Sequence, residues 1–186
     1  IDPGIFFDKD GNLNMVYGSW SGGLYLIQLD AKTGEAIYPG KDSIDDASEN
    51  YVDRYFGTHI AGGNHQSGEG PYIQYDAEGG YYYLYETYGE LGADGGYNMR
   101  LFRSENVTGP YLDAAGNNAA ESGSTGDNSS YGIKLIGNYH FYRQEGYRSA
   151  GHNSTLIDTD GNRYLVYHQR FDKSMTGGLD HEVRIH

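Results

Sequence analysis

Cysteine is absent from this chain of 186 residues, which excludes disulfide bridges and thiolate metal sites. Proline is scarce, with four residues, and tryptophan occurs once. Positive charge is also short, since 13 Lys and Arg against 26 Asp and Glu give a formal net charge of −13. A field of that sign repels polyanions, so nucleic acid and anionic membranes are poor partners and a neutral polymer is a compatible one. No apolar run is long enough to cross a membrane, so membrane insertion is not expected. Sustained 3.6-residue apolar periodicity is missing too, which argues against helices. The chain opens at Ile1-Asp2-Pro3 without an initiator Met or a leader, and reads as a mature or truncated piece.

What the chain has instead is 29 Gly and 20 Tyr, a composition of short strands joined by tight turns rather than of a disordered segment. Three stretches repeat one pattern: a short apolar strand, an acidic turn ending in Gly, and a second strand rich in Tyr, Val and Leu. They are Ile5–Gly11 followed by NLNMVYGSW, Tyr72–Gly79 followed by GYYYLYETY, and Thr155–Gly161 followed by NRYLVYHQRF. Each reads as a β-hairpin. Further strands are expected at Gly23–Leu29, Tyr97–Arg103 and His181–His186, whereas Asp113–Ser130 is small, polar and loop-like. The turn glycines at 11, 79 and 161 lie 68 and 82 residues apart, a spacing that suits propeller blades with some long loops. The expectation is therefore an all-β chain of blade-like repeats over about 1–66, 67–145 and 146–186. A β-sandwich with recurring hairpins is the alternative.

Chemistry-bearing residues recur at one place in the repeat. Asp2 lies six residues before Asp8, Glu69 seven before Asp76, and His152 six before Asp158, so each is expected at the entrance to its first strand. Innermost propeller strands share a central channel, and residues at equivalent ends of them would meet there. Pro3 after Asp2, and Gly70-Pro71 after Glu69, restrict the backbone at both carboxylates. Two carboxyl groups facing one pocket are what glycoside hydrolysis requires, one to protonate the leaving oxygen and another to activate water or attack. His152 reads as an acid or base, a metal ligand or a polar plug of the channel. A lone Asp before Pro is ordinarily a turn residue and a lone Glu ordinarily solvated, so it is their shared repeat position that carries the functional reading.

At these residues the sequence resembles glycoside hydrolase family 43, and within it the endo-α-1,5-L-arabinanases. The resemblance rests on IDPGIFFDKDGNLNMVYGSWSGGLYLIQLD, EGPYIQY, YGELGADGGYNMRLFRS, AGHNSTLID and HEVRIH. It implies a five-bladed propeller, of which about three blades are present, and hydrolysis with inversion. Glu69, in EGPY, is then the general acid, and Asp2, in IDP, modulates the acid's pKa and orientation. His152, in GHNS, is implied to sit beside calcium or another divalent metal in the channel, largely through water. Ser19, Trp20 and Tyr97 match positions lining the sugar subsites. For Trp20, packing between blades is the competing reading.

The general-base Asp of that family is expected upstream of Ile1, so this polypeptide alone is expected to be inactive or very weak. An open arc would expose its flanks, which implies a second fragment or self-association. The substrate implied is arabinan or an arabino-oligosaccharide, and because such polymers lie outside cells, the location implied is extracellular or periplasmic in a bacterium. Two alternatives stand beside this: an exo-acting arabinofuranosidase or β-xylosidase of the same fold, and a non-catalytic sugar-binding propeller. A scaffold propeller leaves Asp2, Glu69 and His152 unexplained.

Overall fold

Alternation of apolar and polar residues along the repeats is realised as antiparallel strands in the computed structural model, which describes residues 1–93, 96–122, 131–137, 146–171 and 180–186. In β1 (Gly4–Phe7) Phe6 is buried while Ile5 and Phe7 are exposed. In β9 (Tyr81–Tyr88) Tyr82, Leu84 and Glu86 are buried while Tyr81, Tyr83 and Tyr85 are half-buried. Successive side chains point to opposite faces, so this pattern commits one face of each strand to packing.

The first sheet holds β1, β2 (Leu13–Gly18), β3 (Leu24–Leu29), β4 (Ala36–Ile37), β5 (Ser43–Asp45), β6 (Asn50–Asp53) and β7 (Gly57–Ala61), in the order β1-β2-β3-β7-β6-β5 with β4 paired to β3. The second holds β8 (Gly68–Asp76), β9, β10 (Asn98–Ser104) and β11 (Ile133–Ile136), in the order β11-β10-β9-β8. The third holds β12 (Tyr147–Ile157), β13 (Arg163–Phe171) and β14 (His181–Ile185) in sequence order. The ladders between these strands are antiparallel. Two 3-10 turns, Trp20–Gly22 and Ala119–Glu121, are the helical elements among the described residues.

The repeats give the hairpins β1–β2, β8–β9 and β12–β13, and the acidic turn residue acts as expected. Asp8 Oδ1 accepts from the backbone N–H of Asp10 and Asn12, and Asp158 Oδ1 from those of Asp160 and Asn162. The second turn differs from the sequence reading. It is one residue longer, Gly80 N–H bonds to Asp76 O at 2.8 Å, and the left-handed backbone falls on Gly80 (φ 74) rather than Gly79. The first sheet also has more strands than its repeat announced, because β4 to β7 are short and lack a clear alternation. Within Asp113–Ser130, Asp113 closes a turn of the same kind by accepting from the N–H groups of Ala115 and Asn117, whereas 123–130 lie outside the described residues.

Two cores join the sheets. Phe6, Val16, Leu24, Leu26 and Ile60 of the first sheet pack with Ile73, Tyr82, Leu84 and Phe102 of the second, together with Tyr111 and Ala119. A smaller cluster of Met99, Ala150 and Tyr167 joins the second sheet to the third, supported at the surface by Arg163 Nη2 and Asp76 Oδ1 at 2.6 Å. Exposed ion pairs add little, so the second junction depends on the smaller apolar cluster. Strand β8 packs beside both β1 and β12, which brings the three repeats together at their first strands.

This inequality has measurable consequences. Leu84 is fully buried in the larger core, and Leu84→Ala should lower unfolding stability by about 2–5 kcal/mol in denaturant titration. Amide exchange should be slower in β2, β3 and β9 than in β13 and β14. Equal protection across all five strands would contradict the two-core description.

Candidate active site

Glu69 is the second residue of β8, and its half-buried carboxyl group is gripped from two directions. Trp20 Nε1 donates to Oε2 at 2.9 Å, with Ser19 Oγ more distantly at 3.4 Å, and both residues follow β2. Tyr97, just before β10, donates its hydroxyl to Oε1 at 2.6 Å. Tyr97 is 0% exposed, so it reaches the site through its hydroxyl rather than as an open sugar-stacking ring, whereas Trp20 is 38% exposed and leaves part of its indole to solvent. Burial pushes the Tyr97 phenol well up from its ordinary range, reinforced by the hydrogen bond to Glu69 and by the charges of Glu69 and Asp2. The phenol therefore remains a donor across the working pH range.

Asp2 stands before β1 in a left-handed conformation (φ 49), and His152 lies within β12 in the same conformation (φ 51). Both line a cavity of about 410 Å³ with Pro71, Tyr72, Asn153 and His168. The backbone N–H of His152 donates to Thr87 Oγ1 at 2.9 Å, and Thr87 is the ladder partner of Glu69. Gly70 completes the approach: its φ is 59, and a Cβ there would come 3.0 Å from His152 Cα. Asp2 and Glu69 thus act on the same phenol, and Asp2 and His152 share the same cavity.

The sequence reading placed all three residues at strand entrances, and the structure alters this for one of them. Asp2 precedes β1 and Glu69 is the second residue of β8, whereas His152 lies in the middle of β12, and both Glu69 and His152 stand next to breaks in the ladder. The β8–β9 register shifts between Glu69 and Tyr72, and the β12–β13 register shifts on both sides of Gly151. A bulge turns a side chain away from its regular alternation, which is how residues inside a strand come to face this region.

Two groups were not singled out from the sequence. The His168 ring stacks near Tyr97 (centroids 5.8 Å apart, 15° between planes) and lies 6.0 Å from the ring of His152 and 4.9 Å from that of His181. Burial, then the neighbouring His181, His152 and Arg170, pull its pKa down to about 4, so it is a neutral imidazole at neutral pH. Glu86 is 0% exposed, and burial raises its pKa to about 8 against the opposing Tyr88 hydrogen bond and Arg100 charge. A signal for both was present: Tyr17-Gly18, Tyr85-Glu86 and Tyr167-His168 fall at one repeat position, and the last two break it with a titratable residue.

For a metal the donor set is thin. Among the described residues no three His, Asp or Glu side chains converge so as to hold an ion. Calcium takes six to eight oxygen ligands, which His152 and Asp2 do not supply. The residues therefore do not form a direct calcium cage, and no chemistry below is routed through a metal.

Glu86 sets a pH dependence. Its folded pKa of about 8 lies above the ordinary 4.5, so between those values the folded chain holds one proton more than the unfolded chain. Stability should accordingly fall as pH rises across that window, by roughly 1 kcal/mol per pH unit from this group, and level off above it. Thermal unfolding of wild type and Glu86→Gln checks this, since the substitution should flatten that part of the curve. Parallel curves would remove Glu86 as its source.

Comparison with known proteins places this arrangement. The chain is 43% identical to extracellular endo-α-(1→5)-L-arabinanase 2 of Bacillus subtilis, a match covering 100% of the chain and 39% of that protein. It is 40% identical to the extracellular endo-α-(1→5)-L-arabinanase of Thermotoga petrophila, over 100% of the chain and 38% of that protein. Among solved structures, a glycoside hydrolase family 43 protein of Bacillus licheniformis superimposes with a TM-score of 0.83 at 42% identity, covering 100% of this chain and 40% of its own. A Cellvibrio cellulosa α-L-arabinanase complexed with arabinohexaose gives a TM-score of 0.70 at 29% identity, covering 100% and 52%. The chain spans about two fifths of the curated relatives it matches. The profile described as Glycosyl hydrolases family 43 matches residues 1–186, and the chain belongs to that family.

Proposed function

We propose that this chain is the acid-bearing part of an inverting endo-α-1,5-L-arabinanase, forming about three blades of a five-bladed propeller. The observation that carries the reading is the Glu69 carboxyl group, fixed by Trp20 and Tyr97 beside a partly exposed indole. The three sheets, spanning 4–61, 68–136 and 147–185, support the repeat boundaries at about 1–66, 67–145 and 146–186. The likeness to arabinanases, including one complexed with arabinohexaose, supports arabinan or an arabino-oligosaccharide as substrate. The relatives named as extracellular support a secreted bacterial protein.

In this reading Glu69 transfers its proton to the glycosidic oxygen as the bond from that oxygen to the anomeric carbon breaks. Water attacks the anomeric carbon from the opposite face, and its proton passes to a carboxylate base. Trp20 and Tyr97 fix the direction of the Glu69 carboxyl, and the exposed part of the indole offers a flat surface to a furanose ring. Asp2, whose charge acts on the same Tyr97 phenol, is assigned the part of orienting the acid. The base is assigned to the portion of the relatives' length that this chain does not span. The exposed Ile5 and Phe7 on β1, and Val183 and Ile185 on β14, are faces for that portion to cover.

Joining the chain to the preceding portion of the Bacillus subtilis relative tests the proposal. The joined protein should release reducing ends from linear arabinan and leave aryl glycosides nearly untouched. Glu69→Gln should lower kcat by about 10²–10⁴-fold. The 186-residue chain alone should be inactive and should self-associate in sedimentation. Turnover by the isolated chain would place the base within it. A folded but inactive joined protein would overturn the arabinanase reading, and preference for aryl glycosides would favour exo action.

The proposal also includes a calcium ion held through water beside His152, where the buried amide oxygen and nitrogen of Asn153 have no protein partner among the described residues. Calcium added to chelator-treated chain should raise the Tm by a few degrees, roughly what binding linkage gives at saturating ligand. An unchanged Tm would remove the ion from the reading.

A further inference from the structure

We infer that Glu86 is a positioning residue, a buried carboxyl group wedged behind Gly68 that fixes the start of β8 and so holds Glu69 against Trp20 and Tyr97. Resting on the reading of Glu69 as the working acid, the inference names the group that keeps this acid in place. Glu86 lies across the break in the β8–β9 ladder: Thr87 pairs with Glu69, Tyr85 pairs with Tyr72, and Glu86 falls between them opposite Gly70 and Pro71. A Cβ on Gly68 would overlap Glu86 Oε1, so a larger residue there would require the carboxyl group to move.

The other side of Glu86 is tied to the first sheet. Tyr88 donates its hydroxyl to Oε2 at 3.1 Å, and the same hydroxyl lies 3.3 Å from Ser122 Oγ. Ser122 follows the Ala119–Glu121 turn, and that turn's Ala119 O accepts from Gly62 N–H at 2.9 Å. Gly62 follows β7 and begins the segment leading into β8, and its Cβ position is 3.5 Å from Glu86 Oε1. Glu86 therefore sits at the centre of a closed path running from β7 through the turn and Tyr88 to the residue preceding Glu69.

Oε1 has no hydrogen-bond partner among the described residues. A charged carboxylate with an unsatisfied oxygen in a fully buried place is costly, and a neutral carboxylic acid much less so. The titratable and charged groups acting on Glu86 are Tyr88 on its own strand and Arg100 on β10, and burial outweighs both. Ser122, Gly62 and Gly68, which face it from the other elements, do not titrate. Ionisation of Glu86 would draw water or a shifted backbone toward Oε1, and Gly68 is the group in contact with it.

Trp20 makes this measurable without turnover, because it is the sole tryptophan and its indole N–H bonds to Glu69. In the wild-type chain, Trp20 emission should change between about pH 7 and pH 9 while the far-ultraviolet dichroism of the strands persists. Glu86→Gln should hold the neutral-pH emission throughout that range. Glu86→Ala should already show the altered emission at about pH 7. A purely structural role would lower the Tm of these variants and leave the emission of the folded chains unchanged. The inference is overturned by a wild-type emission that is flat over this range, by Glu86→Gln following the wild-type curve, or by folded Glu86→Ala with wild-type emission. Should Glu86→Ala fail to fold, the comparison with Glu86→Gln decides alone. A failed arabinan assay leaves this test intact, and a flat Trp20 response leaves the arabinan assay intact.

Discussion

The arrangement around the site depends on one carboxyl group held by donors that arrive from different sheets. Trp20 reaches Glu69 from the end of β2 in the first sheet, and Tyr97 reaches it from the start of β10 in the second. Hydrogen bonds of this kind are directional and short-ranged, so both sheets must be in register before either contact forms. The larger apolar core supplies that register, because it joins the same two sheets through Phe6, Val16, Leu84 and Phe102. Packing thus sets the position of the acid, and the acid's hydrogen bonds exploit a placement already made.

A regular strand would not deliver these side chains. Asp2 and His152 both occupy left-handed backbone, and Glu69 and His152 both flank shifts in register. Such conformations cost free energy in a non-glycine residue and persist where surrounding contacts determine them. For His152 those contacts are visible: its N–H is taken by Thr87 Oγ1, and Gly70 leaves the space it enters. The irregularities recur at corresponding places in the repeats, so they belong to the site.

Much of this was legible in the sequence because it is local. The hairpins follow from Asp8, Asp76 and Asp158, whose side chains bond turn backbone within a few residues. The repeat offset pointed to Asp2 and His152, which line one cavity, and to Glu69, whose ladder partner Thr87 accepts from His152 N–H. What escaped was non-local or lacked a pattern. The strands β4 to β7 are too short for alternation to show. The second turn moved its left-handed residue to Gly80, because a second glycine lengthened the loop. Tyr97 matched a subsite position, but its burial and its hydroxyl contact depend on how β10 and β12 pack. Glu86 and His168 sit within tyrosine-rich strands that read as core, and only burial of a charged type makes them conspicuous.

Glu86 and Thr87 show how one strand serves both sides of the site. Adjacent residues on a strand point to opposite faces. Glu86 therefore turns to the side of Gly62, which follows β7 of the first sheet, and meets Gly68 and Tyr88 of its own sheet there, and Thr87 turns toward the third sheet, where it accepts from His152 N–H. Between them lies the break that frees Glu69 from the regular ladder. A slip of one residue in β9 would exchange the two faces, placing a carboxyl group against β12 and a hydroxyl in the dry junction with the first sheet. Both placements would be unfavourable, the first because His152 N–H would lose its Thr87 acceptor and a carboxylate would be set against β12, and the second because a cavity would remain behind Gly68. The pair thereby specifies the register of the strand that faces the acid, and polar residues inside an otherwise aromatic strand acquire a structural reason as well as a chemical one.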